Sequence, residues 1–219
     1  MSESAYGFLL ALSAGGVLIC AVGSLWQRTS VSVAGWLALQ GLALSSAALW
    51  IGIHNLDSVL IATSIVVLVV KAILLPWLLR KVVRKGGVTF ESSPVVNGTS
   101  SLVAAAALIF LASAAMRNVA KLVPSPANKL IGIALATFLI GFFTLVSRKH
   151  AVSQIVGIVL IDNGIALFAF LVTSGVPILV EFGVSLDVLL VVVVLQVLTA
   201  RMREKFGGLD VDQLQELHD

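Results

Sequence analysis

Charged residues are scarce in this sequence: they make up 11% of its 219 residues, whereas hydrophobic residues make up 59%. A soluble domain carries about 25% charged residues, so this chain has too few to cover the surface of one. The apolar residues also lie in long blocks, most of them near the roughly 20 residues that a membrane-spanning helix requires. The composition therefore excludes a separate soluble catalytic domain and predicts a multi-pass protein of the lipid bilayer.

Cysteine and histidine are also scarce. The lone Cys20 excludes an internal disulfide and any metal or iron–sulfur site built from cysteines. The three histidines, His54, His150 and His218, lie far apart and lack the spacing of a metal-ligand set. The sequence contains neither a phosphate-binding glycine motif nor a nucleophile elbow. We therefore expect the chain to have no catalytic site, no cofactor and no metal of its own.

Seven apolar blocks predict an all-α fold with seven transmembrane helices. The fourth block is short and rich in alanine, so its helix is allowed to extend as far as Ala120. A linker from Arg80 to Ser100 combines bases with Gly, Ser and Pro. It divides the chain into a three-helix half with a basic loop (1–100), a four-helix half (101–200) and a tail (201–219). The predicted spans are 6–26, 31–53, 57–79, 101–116, 130–147, 155–174 and 177–200.

Lysine and arginine lie mainly in loops beside the apolar blocks, and the net charge is +3. This pattern is typical of membrane topology and does not indicate nucleic-acid binding. The positive-inside rule predicts that the N-terminus lies outside and the C-terminus lies in the cytoplasm. Three bases share the side of the N-terminus, namely Arg117, Lys121 and Lys129. Ten lie on the opposite side, namely Arg28, Arg80, Lys81, Arg84, Lys85, Arg148, Lys149, Arg201, Arg203 and Lys205.

Apart from Asp57, which begins the third block, four charged residues lie within the apolar blocks: Lys71, Asp162, Glu181 and Asp187. A charge at the bilayer centre costs at least about 2.5–3.5 kcal/mol on insertion scales, so its presence indicates a function. The rise of an α-helix places both aspartates about 15 Å deep, Lys71 about 13 Å deep and Glu181 about 6 Å below the outer surface. We expect the three deep residues to form one polar layer inside the bundle.

Such a layer can relay protons, because a buried carboxylate exchanges protons near neutral pH when a nearby cation offsets the cost of burying its charge. Three of the four residues also have a structural alternative, whereas Asp187 has no cation in its own helix and is the hardest to explain structurally. Lys71 and Asp162 can form a static ion pair that fixes helix register, or the long Lys71 side chain can reach the cytoplasmic surface. Glu181 is shallow enough to be solvated or to stabilise a helix N-terminus.

Two further residues bear on this layer. Pro76 follows Lys71 by five residues and cannot donate a backbone hydrogen bond, which predicts a kink in the third span. The carbonyl that Pro76 frees can hold water beside Lys71. Gln40 is a mid-span amide, and we interpret it as a contact between helices rather than as a relay member.

The last three spans resemble a known family. After Arg148 and Lys149 come VGIVLIDNGIALFAF, a short turn at 175–177 and PILVEFGVSLDVLLVVVVLQVLTARMREKF, followed by LDVDQLQEL. Together with VVKAILLPWLLRK in the first half, these segments resemble the hydrogenase-4 component E family. The last three helices are also similar to the 4L subunit of complex I and to the C subunit of multisubunit cation/proton antiporters. The resemblance covers most of the chain and is most specific in residues 148–217.

The resemblance implies a non-catalytic membrane-arm subunit of a group-4 nickel–iron hydrogenase, formate hydrogenlyase-like, or of a related complex I-like assembly. The implied location is a bacterial or archaeal cytoplasmic membrane. The implied partners are antiporter-like membrane subunits, a quinone-site-type membrane subunit and a soluble redox module. Alternatives are a structural scaffold subunit of the same kind of complex and a stand-alone cation/proton transporter.

The resemblance also implies roles for individual residues. Asp162 and Asp187 match the midplane carboxylates of the 4L-type subunit, although the family commonly has Glu there and Asp162 is displaced by about one helical turn. The implied proton path contains Asp162, Asp187, Lys71 and Glu181. The supporting residues are Arg148, Lys149 and Gln40.

Overall fold

The structure is a computed structural model that describes residues 2–27, 30–86, 98–122, 125–148 and 151–173. Those residues form helices joined by short connections. In chain order the elements are α1 (Glu3–Trp26), α2 (Ser30–Asn55), α3 (Ser58–Val67), a π-helical segment (Leu68–Leu74), α4 (Leu75–Gly86), α5 (Gly98–Leu122), a 3-10 turn (Asn128–Leu130), α6 (Ile131–Ser147) and α7 (Ala151–Thr173).

Six stretches of the described chain are long and apolar enough to cross a membrane. They match the first six predicted spans, so the all-α prediction is confirmed for this part. The third crossing combines α3, the π-helical segment and α4 into one stretch, Ser58–Lys81. The fourth runs from Gly98 to Leu122, so it extends into both flanks of the predicted span and ends two residues beyond the expected limit at Ala120. The seventh span (177–200) and the tail (201–219) lie outside the described residues, and the membrane sides stay a prediction.

The turn between α2 and α3 depends on two adjacent residues. Leu56 has a φ of 56°, in the left-handed region that ends many helices. Asp57 then caps α3, because its Oδ1 accepts hydrogen bonds from the N–H groups of Val59 at 2.9 Å and Leu60 at 3.2 Å. The polypeptide therefore reverses direction over very few residues, and the third crossing returns beside α2.

Glycines hold α6 against α7. A Cβ atom on Gly141, Gly157 or Gly164 would lie 2.5–2.6 Å from a backbone nitrogen of the facing helix, which is too close for any side chain. Small residues allow such close packing between membrane helices, where burial of apolar surface from water contributes little. This contact fixes the depth and rotation of α7 between Gly157 and Gly164.

The α2 helix contacts α1, the third crossing and α7. Its closest backbone contact is at Gly41, where an added Cβ would lie 2.6 Å from the Lys71 carbonyl carbon and 2.7 Å from the Ala72 nitrogen. Only a glycine at this position lets α2 approach the π-helical segment so closely.

Two apolar clusters form the core of the described bundle. The first apolar cluster is built on α1, α2, α3, α6 and α7; its largest buried members include Leu10, Leu44, Ile51, Leu60 and Phe170. The second apolar cluster is built on α1, α2, α4, α5, α6 and α7; its buried members include Leu25, Leu37, Leu75, Leu79 and Ile155. Both clusters contain residues from the first three crossings and from α6 and α7, so the two halves predicted from the sequence share one core.

Candidate functional site: a buried polar layer

Buried polar side chains separate the two apolar clusters. In α2, in the π-helical segment and in α7, they follow the last residue of one cluster and precede the first residue of the other. Four of these buried residues together are called the polar layer here. Its members are Gln40, Lys71, Asp162 and Asn163, with exposed fractions of 0%, 2%, 4% and 1%.

The ionic half of the polar layer, Lys71 and Asp162, joins the third crossing to α7. Lys71 Nζ lies 2.8 Å from Asp162 Oδ2, and both side chains are nearly inaccessible. The alternative in which Lys71 extends to the cytoplasmic surface is therefore wrong, because its ammonium group lies beside a carboxylate in the bundle interior. The sequence prediction that Lys71 and Asp162 lie at one depth inside the bundle agrees with this geometry.

The amide half of the polar layer, Gln40 and Asn163, joins three helices. Asn163 Nδ2 donates a hydrogen bond to Gln40 Oε1 at 2.8 Å, and Gln40 Nε2 donates to the Val17 carbonyl of α1 at 3.1 Å. Gln40 therefore makes the interhelical contact that the sequence predicted. Asn163 belongs to the Asp162-Asn163-Gly164 element of the family resemblance, but the sequence assigned it no role of its own.

The π-helical segment positions the lysine. Lys71 lies at the middle of Leu68–Leu74, and the N–H of Leu75 bonds to the Val70 carbonyl, five residues back instead of four. Pro76 is the second residue after this segment and lacks a backbone N–H. The expected irregularity of the third span is thus a widened turn at Lys71 itself, and such turns occur frequently at functional sites.

Arg148 lies away from the polar layer, at the end of α6. It is 8% exposed, and its Nη2 donates a hydrogen bond at 2.8 Å to the carbonyl of Leu25 in the last turn of α1. The Arg148 carbonyl in turn accepts from Gln154 Nε2 at 3.2 Å. Arg148 was predicted as a loop base; in the structure it joins the ends of α1 and α6.

Three of the predicted site residues, Lys149, Glu181 and Asp187, lie outside the described residues. Among the residues that are described, no group of three or more His, Cys, Asp or Glu side chains is arranged to hold a metal ion.

The polar layer holds one carboxylate and one ammonium group side by side, away from solvent. Asp162 Oδ1 makes no hydrogen bond within the described part of the chain, whereas Oδ2 lies beside Lys71. Ionisable side chains held together in this way inside a membrane bundle commonly mark an ion or proton pathway.

Comparison with known proteins shows one relative that matches the full length of this chain and others that match about half of its length. The chain is 42% identical to the uncharacterized protein Rv0085 of Mycobacterium tuberculosis over 220 residues, which covers 100% of both proteins. It is 33% identical over 121 residues to hydrogenase-4 component E of Escherichia coli and of Shigella flexneri, which covers 55% of this chain and 56% of theirs. No protein-family model and no solved structure matches the chain.

Proposed function

This chain belongs to the family of the mycobacterial protein Rv0085, and we propose that it is a membrane subunit of a hydrogenase-like complex that carries a proton path. The matched segment, which is about half the length of hydrogenase-4 component E, supports the complex. The Lys71–Asp162 pair, buried at 2.8 Å in the polar layer, is the observation that carries the proton path.

The free-energy cost of burying the Lys71–Asp162 pair indicates that the pair has a role beyond packing. An ionised pair buried in an apolar bundle is often no more stable than apolar residues of the same volume. Ionisable residues within membrane segments accordingly mark ion and proton pathways. In our proposal Asp162 takes up and releases the proton, and Lys71 sets the charge balance. Asp187 and Glu181 extend the path through the last span, and Arg148 and Lys149 lie at its cytoplasmic end.

The rest of the complex follows from the same proposal. The chain itself holds no catalytic site and no cofactor, and a soluble redox module carries out the electron transfer. Antiporter-like membrane subunits and a quinone-site-type subunit are its neighbours in a bacterial or archaeal cytoplasmic membrane. The resemblance of its C-terminal helices to the 4L and antiporter C subunits belongs to this proposal as well.

A structural scaffold is the second candidate, and the amide half of the polar layer favours it. Gln40 links α1, α2 and α7 through two buried hydrogen bonds, and such contacts fix helix register in membrane bundles. In this alternative the Lys71–Asp162 pair also fixes register only, and no proton passes through it.

Purification from the native host in mild detergent, followed by mass spectrometry, tests membership of a complex. We expect a nickel–iron hydrogenase large subunit, iron–sulfur proteins and antiporter-like subunits to elute with the tagged chain at constant ratios. Recovery of the chain alone or as a homo-oligomer would contradict the proposal and favour a stand-alone cation/proton transporter. An unrelated membrane protein carrying the same tag is the matched control for non-specific recovery.

A further inference from the structure

A cavity lies between α5 and the start of α6, at the end of the bundle opposite Arg148. Its volume is about 120 Å³, well above the about 10–15 Å³ that a single water requires. The wall from α5 carries residues spaced three or four apart, which face the same way along a helix. The lining residues are Ser113, Met116, Arg117, Ala120, Lys129, Ile131, Gly132 and Ile133.

Two cations from different helices meet at this cavity. Arg117 of α5 and Lys129 before α6 are both exposed, and neither forms an ion pair within the described residues. The described acids at this end of the bundle are engaged elsewhere. Glu3 lies 3.6 Å from His54, and Asp57 caps α3. Counting the described residues, the cavity therefore has an excess of positive charge that a bound anion would balance.

The cavity lies where a lipid headgroup would lie. Arg117 is four residues before the end of the membrane-length stretch Gly98–Lys121, and Lys129 is the second residue of the stretch Asn128–Ser147. Both cations are thus at the level of the membrane surface, while Met116, Ile131 and Ile133 provide apolar walls. The Ser113 hydroxyl lies about one turn deeper than Arg117, within reach of a glycerol or phosphate oxygen.

We propose that this cavity binds the phosphate of an anionic phospholipid, with Arg117 and Lys129 holding the phosphate and the acyl chains following the groove between α5 and α6. Basic pockets between membrane helices bind anionic headgroups on the cytoplasmic side, and we infer the same charge pairing at this end, which the positive-inside rule predicts to be outside. The α5 helix is suited to such a contact, because it is the least buried of the six membrane-length helices described here. This site is independent of the polar layer and of the proposed proton path.

Lipid titration of the full chain in detergent tests the site, with bound lipid measured by native mass spectrometry. Phosphatidylglycerol should bind at least about fivefold more tightly than phosphatidylcholine, and Arg117→Gln and Lys129→Gln should each weaken phosphatidylglycerol binding about fivefold. Lys121→Gln is the matched control, since Lys121 is an exposed base at the same end that does not line the cavity.

Three results would overturn the assignment: equal binding of the two lipids, unchanged binding in the Arg117→Gln, Lys129→Gln double variant, and an equal loss in Lys121→Gln. Competition of inorganic phosphate with phosphatidylglycerol provides a further test. Phosphate that competes as strongly as the lipid, mole for mole, would contradict a lipid site, because the apolar walls would then contribute nothing. Both substituted side chains are exposed, so the double variant should fold with an unchanged thermal midpoint.

Discussion

Asp162→Leu is expected to lower the free energy of unfolding by about 3–5 kcal/mol, because it removes the carboxylate 2.8 Å from a lysine that is 2% exposed. Lys71→Met should have a similar cost, since it leaves the Asp162 carboxylate without its neighbouring cation. Unfolding in bicelles, measured by steric trapping, provides the comparison.

The double variant Lys71→Met, Asp162→Leu completes the cycle and should recover most of the loss, because apolar residues of similar volume often replace a buried pair without cost. Lys121→Met changes an exposed base and should stay within about 0.5 kcal/mol of the parent. Additive losses in the double variant would mean that Lys71 and Asp162 are not energetically coupled.

Gly41→Ala is expected to destabilise the protein by about 1–3 kcal/mol or more, since the new methyl group would lie 2.6 Å from the Lys71 carbonyl carbon. A backbone contact cannot be relieved by a change of rotamer, so α2 must move away from the π-helical segment. That movement should also lengthen or break the hydrogen bond between Gln40 and Asn163. The thermal unfolding midpoint in detergent measures the loss of stability.

Gly15→Ala is the matched control for Gly41→Ala. Gly15 is also an interior helical glycine, but no atom of the described residues lies within 4 Å of a Cβ placed on it. The substitution should therefore stabilise the protein by about 0.5–1 kcal/mol through the better helix propensity of alanine. Equal effects of the two substitutions would contradict the close contact between α2 and the third crossing.

The ionic half of the polar layer was predictable from the sequence because ionisable residues are so rare in the apolar blocks. Counting residues from the basic loops placed Lys71 and Asp162 at similar depths, which was enough to expect one layer. Depth alone could not decide between a buried ion pair and a lysine that reaches the surface. That choice depends on helix rotation, and the glycine contacts of α6, α7 and Gly41 fix it.

Other features required the structure. Pro76 indicated a lost backbone hydrogen bond but not that the turn would widen at Lys71. A kink and a π-helical turn are both compatible with a missing N–H donor. The bond between Asn163 and Gln40 joins residues 123 positions apart, and no local pattern pairs two such amides. Arg148 matched the pattern of a topogenic loop base, yet its guanidinium lies against the end of α1.

Proton movement by the intact complex in sealed vesicles tests the central claim most directly. We expect that a complex with Asp162→Asn retains its subunits, because the amide keeps the shape of the side chain and, unlike leucine, has an oxygen that accepts a hydrogen bond from Lys71. The same complex should build a much smaller pH gradient per redox turnover. Asp162→Glu should restore a substantial part of that gradient. A complete Asp162→Asn complex that moves protons as fast as the wild type would contradict the proton path through Asp162.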